Sequence, residues 1–230
     1  MQSISATSLV ESLPERIAYL SSFLSFTEED TQALLASAPL VAPLIPTILD
    51  AVYTKLLNYD ITAKAFVPKN TDYTGETVKS VQELTLESPQ IAFRKDFLKA
   101  LNYLVRLVTT KDLSPTSSFW TYLNNVGIMH TGRPGFKHRE KRPDLKVDYI
   151  HMSALLGYVE DIVVAAVLGM DEIDLATKTK VIRAFNKMLW IQNDLMSRHY
   201  ISGEGVEDGL PTPPTQEGEK VEGDGCPFKG

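Results

Sequence analysis

The residue in this sequence best placed to do chemistry is a histidine that ends a nonpolar helical stripe. Residues 119–132 put Phe119, Leu123, Val126 or Gly127, and His130 on one face at helical spacing. Gly132 supplies the stop that leaves His130 in the last turn, its ring toward the interior. An imidazole in that setting can donate one ring N–H to a carbonyl one turn back and offer its other nitrogen to a metal. A core histidine satisfied by hydrogen bonds has the same spacing, so the pattern alone leaves both readings open. Tyr53 lies in a broad apolar face made by Ile45, Leu49, Val52, Leu56 and Leu57, where a tyrosine is ordinarily core with its hydroxyl bonded to a nearby carbonyl.

Other chemistries are poorly served. Four histidines and one cysteine show none of the CxxC, HExxH or ExxH spacings, so a metal cage built from side chains alone is not expected. The single Cys226 excludes a disulfide framework within the chain and reads as a free thiol. The net charge is −6 over 230 residues, but residues 203–230 carry −5 of it and residues 1–202 only −1. A nearly neutral body lacks the basic face that nucleic acid requires. No apolar run approaches the roughly 18 residues of a membrane span, and the first ten residues lack a signal peptide's basic start. The expectation is a soluble, cytoplasmic protein with no membrane partner.

The elements that must position His130 read as helices throughout. Residues 1–13 are a small, polar, frayed arm. Ile17, Leu20 and Leu24 predict a short helix after Pro14, and Thr27 caps another at 28–38 with acids in its first turn. Pro39, Pro43 and Pro46 punctuate the entry to the helix that carries Tyr53, and a further turn follows at 60–66. One helix is possible at 76–86. A long one at 89–110 has Phe93, Phe97, Leu104 and Val108 along its stripe. Residues 147–168 are apolar on two faces: His151, Leu155, Tyr158 and Ile162 on one, Met152, Leu156, Val159, Val163 and Val167 on the other. A last helix spans 171–200, and residues 203–230, with seven glycines and four prolines, form a disordered acidic tail.

Four segments in this order resemble the sensor-globin family, that is, the globin domains of globin-coupled sensors and the single-domain protoglobins. They are residues 48–57 with Tyr53, Arg94 to Phe97, Tyr122 to His130, and residues 147–162. The resemblance spans most of 15–200 and implies an all-α globin fold with an extra N-terminal helix and two long last helices. Residues 14–202 would be the haem domain.

It further implies haem b on His130, a distal wall of Tyr53, Phe97 and Phe93, and a pocket completed by Leu155, Tyr158 and Ile162. Tyr53 would donate to O₂ held at the haem, and a cation from the basic loop 133–142 could meet a haem carboxylate. The last two helices would form a homodimer through the second face of 147–168. The implied role is reversible binding of a diatomic gas (O₂, CO or NO) for sensing or carriage. Two alternatives stay open: a haem enzyme acting on NO, nitrite or peroxide with an external reductant, and a cofactor-free helical interaction protein. The loop 111–118 is longer than the family pattern, which leaves the register of Phe97 against Phe93 undecided.

Overall fold

The computed structural model describes residues 3–69, 71–100, 103–141 and 144–201, which are almost entirely helical. The expected tail at 203–230, with Cys226, lies outside them. The expected frayed arm is in part a short helix, α1 (Ala6–Glu11), capped by the Ser5 side chain and held by Arg16 and Arg198, which donate to the carbonyls of Leu9 and Val10. Helix α2 (Leu13–Phe23) follows, with Ser12 as its N-cap and Pro14 in its first turn, where a missing N–H costs nothing.

The prolines after residue 38 punctuate without breaking. Helix α3 (Glu28–Val41) starts at a capping box between Thr27 and Asp30 and carries Pro39 inside it. A 3-10 turn, Ala42–Leu44, absorbs Pro43, and α4 (Ile45–Leu57) begins with Pro46 in its first turn. Glu28–Leu57 is thus one helical run of 30 residues, long and apolar enough by length and composition to cross a bilayer; so is Tyr149–Leu168. That corrects the expectation that nothing in the chain approaches this length. Both pack into the helical core, and the first carries Asp30 and Asp50, ion-paired to Lys187 and Lys95.

Helix α5 (Asp60–Ala63) and a 3-10 turn at Lys64–Phe66 come next. The expected helix at 76–86 is only a 3-10 turn, Val81–Glu83. The long helix expected at 89–110 is described as α6 (Pro89–Ala100) and α7 (Tyr103–Thr109). Then come α8 (Ser118–His130), α9 (Tyr149–Leu168) and α10 (Leu175–Ser197), the last of 23 residues where the sequence predicts about 30. Asp174 caps α10 through its side chain and thereby fixes the later start.

The core is built around α10, which packs on α3, α8 and α9. Trp120, Leu123, Met188, Ile191 and Leu195 are essentially inaccessible to solvent. Arg16 grips both carboxylate oxygens of Asp194, and Lys187 reaches Asp30 Oδ2 at 2.8 Å and the Ser25 carbonyl at 2.7 Å. These pairs tie α2 and α3 to α10. Helices α8 and α10 approach so closely that a Cβ on Gly127 would meet the Leu195 carbonyl oxygen at 2.5 Å. Glycine is needed there for space.

Candidate functional site

A cavity of about 510 Å³ opens beside this core, within the usual range of cofactor pockets, about 300–1,000 Å³. Val52, Tyr53 and Leu56 of α4, Ile61, Ala65 and Phe66 after it, and Leu98 of α6 contribute one part of its lining. His130 at the end of α8, Leu145 and Val147 in the following segment, and His151, Met152 and Leu155 of α9 contribute the other. Lys64, Asp144, Lys146 and Asp148 add charge to a lining that is otherwise mostly apolar.

The backbone around His130 explains its orientation. Gly132 takes φ +90°, which lets the chain turn out of α8, and Thr131 pairs with Lys146 in an isolated antiparallel bridge. The His130 carbonyl accepts hydrogen bonds from the Val147 N–H (2.9 Å) and the Tyr200 hydroxyl (3.1 Å). Its Nδ1 lies 2.8 Å from the Val126 carbonyl oxygen. A carbonyl can only accept, so Nδ1 carries the proton and Nε2 is left with a lone pair. Burial lowers the ring's pKa below the ordinary imidazole value; the Val126 bond partly opposes this, and the charges of Arg139 and Arg94 push it lower. The neutral ring is the form able to bind a metal.

Tyr53 is 5% exposed, and its ring lies 5.6 Å from that of Phe66. Burial raises its pKa to about 12, against a smaller lowering by Arg94. The phenol therefore stays protonated at neutral pH and is available as a donor.

Of the residues expected at the site, the structure gathers His130, Tyr53 and Leu155 around one cavity and leaves four off its lining. Phe97 is 40% exposed and stacks on Phe93 at 6.3 Å, while Phe93 meets Tyr73 at 5.5 Å. Segment 71–88 has taken up that aromatic pair, and the next residue along α6, Leu98, faces the cavity instead. Tyr158 lies under the Lys55 ammonium, 5.1 Å from its ring centroid, and Ile162 packs against the main core.

The sequence reading missed Phe66, Leu98 and His151 as lining residues and Arg94 as a charge beside them. For His151 the signal was present, since it shares the stripe of Leu155. For Arg94 the signal was its spacing four residues before Leu98, which puts both on one helical face.

These residues fit a haem. The lining is apolar enough to hold a porphyrin, and His130 Nε2 can supply one axial nitrogen. His151 Nε2 is buried without a hydrogen-bond partner. Such an atom costs roughly 1–3 kcal/mol until a polar group reaches it, and a porphyrin carboxylate is one that could.

The described residues, almost entirely helical around this pocket, have the globin fold. A solved structure, the globin domain of a Geobacter sulfurreducens globin-coupled sensor, superposes with a TM-score of 0.57 at 17% identity, covering 80% of this chain and 97% of that one. The protoglobin family model matches residues 13–204, and the chain belongs to the protoglobin family. Comparison with curated proteins gives no match. Family and fold together carry a globin-type, haem-based gas-binding role.

Proposed function

We propose that this protein is a cytoplasmic globin that binds haem b through His130 and reversibly holds a diatomic gas, O₂, CO or NO, for sensing or carriage. The observation that carries the reading is the arrangement of His130: Nδ1 bonded to Val126, the ring kept neutral, and its place in the lining of an apolar cavity that Tyr53 shares. Haem, when bound, supplies the iron at which the gas is held. The chain supplies the rest. Val126, Val147 and Tyr200 fix His130 in position, its carbonyl as well as its ring, and Tyr53 offers a hydroxyl donor to the ligand. Val52, Leu56, Phe66, Leu98 and Leu155 make the lining apolar. Absorption spectra of the ferric, ferrous and CO-bound forms, taken beside His130→Ala, test this. Loss of axial nitrogen coordination in the variant is expected, and an unchanged spectrum would refute the assignment.

We propose further that the protein is a homodimer through its last two helices, on a different face from the one the sequence suggested. Met152, Val159, Val163 and Val167 are buried within the chain itself. The exposed stripe of α9 is Ile150, Ala154, Gly157, Asp161, Ala165 and Leu168, and Trp190 of α10 is 55% exposed. A Cβ on Gly157 meets nothing within 4 Å, so Gly157→Gln leaves the protomer intact while crowding any partner on that stripe. Sedimentation should show a dimer that this change splits; a wild-type monomer at micromolar concentration would contradict the proposal.

A further inference from the structure

Arg94 is a charged residue packed against Phe66, one of the side chains that line the pocket. Helix α6 carries it four residues before Leu98, which lines the cavity, and the neighbouring Lys95 anchors the same turn to α4 through Asp50 at 2.6 Å. The guanidinium carbon lies 5.2 Å from the ring centroid of Phe66, a cavity residue whose ring is 5.6 Å from that of Tyr53. A cation over an aromatic face keeps part of the stabilisation it loses on leaving water. An arginine cannot shed its proton at any working pH, so this side chain is a fixed positive charge.

Through Phe66 it lies close to Tyr53, on the α4 side of the cavity, where its charge favours the ionised phenol against the larger effect of burial. The charge of Arg139 reaches Arg94 as well. A guanidinium charge behind the pocket wall favours a negative occupant over a neutral one, and among the charged lining residues Lys64 and Lys146 are matched by Asp144 and Asp148.

We infer that Arg94 sets the ligand preference of this pocket: beside Tyr53 and Phe66 it donates to a small monoanion, so that anions such as azide and nitrite are held in preference to neutral diatomics. This rests on haem binding through His130 and adds a ligand class to it. Tyr53 offers a neutral hydroxyl to any acceptor, whereas Arg94 adds a bond whose strength depends on charge.

The test uses the full chain loaded with haem. The azide dissociation constant of the ferric form is measured beside the CO affinity of the ferrous form, in the wild type, Arg94→Gln and Arg94→Lys. Arg94→Gln should weaken azide about tenfold or more, the effect of losing one charge-assisted hydrogen bond. CO affinity should stay within about twofold, and Arg94→Lys should recover part of the azide affinity by restoring the charge. Azide affinity indifferent to Arg94→Gln would overturn the inference, as would equal weakening of azide and CO, which would mark a packing role. If Arg94→Gln does not retain haem, Arg94→Lys decides alone: an azide-to-CO ratio near that of the wild type supports the charge, and a ratio that collapses overturns it. A wild-type chain that stays colourless with added haem sinks the haem reading itself. A coloured chain whose ligand preference ignores Arg94 sinks only the anion preference.

Discussion

His130 and His199 sit where α8 and α10 end, and burial holds both imidazoles below their ordinary titration range, His199 at about 4. Their surroundings differ in what is left over. His199 has both ring nitrogens engaged by side chains, Nε2 with Asn124 at 2.9 Å and Nδ1 with Arg133 at 3.4 Å. His130 spends one nitrogen on Val126 and lines a cavity. A perturbed titration therefore does not by itself mark a functional histidine. The difference lies in whether a nitrogen remains and in what space it meets.

The comparison is broken most directly by truncating each ring. His130→Ala should abolish axial nitrogen coordination in the haem-loaded protein while circular dichroism stays helical, and His199→Ala should keep the absorption spectrum and lower the denaturation midpoint. If the two variants lose coordination alike, the distinction fails. Gly127→Ala probes the contact between the two helices that present these rings. With its Cβ at 2.5 Å from the Leu195 carbonyl oxygen, it should destabilise the fold by about 1–3 kcal/mol, read from urea unfolding. A neutral result there would mean the helices part without cost.

Tyr53→Phe asks whether the cavity next to His130 is more than a hole. Removing a donor hydroxyl should speed O₂ release several-fold, because a neutral hydrogen bond contributes about 0.5–1.5 kcal/mol. Stopped-flow dissociation rates equal to wild type would take Tyr53 out of ligand binding.

The smallest effect is on acid stability. Both rings titrate lower in the folded chain than the 6.5 of a free imidazole, so the unfolded chain binds more protons between those values. The contribution of His199 is fully present above about pH 6.5 and is lost as pH falls toward 4, and that of His130 runs in the same direction. His199→Gln should flatten that decline between pH 7 and 5 in urea titrations, and a slope equal to wild type would show that His199 contributes nothing to it.

Much of this architecture was legible in the sequence, because helical periodicity is a local property. The stripe ending at His130, the apolar face holding Tyr53 and the doubly apolar α9 could be read from residues three and four apart. Prolines were harder to read. Pro43 and Pro46 look like breaks, yet both occupy positions where the helical ladder has little to lose, so α3 runs through a 3-10 turn into α4.

What local pattern could not supply was the partner of each face. Phe97 and Leu98 are adjacent and both apolar; Phe97 went to an aromatic stack with Phe93 because Tyr73, some 20 residues earlier, docks there, and Leu98 was left to the cavity. The face of α9 that seemed available to a second copy was consumed by its own chain, since α10, which follows after a short loop, packs against it. The sequence by itself determined which residues form helices, which of them are apolar, and that one stripe ends in an imidazole. Only the tertiary structure decided which stripe meets which neighbour, and with it the place of Arg94, because that choice depends on contacts between segments too far apart in the chain for spacing to encode.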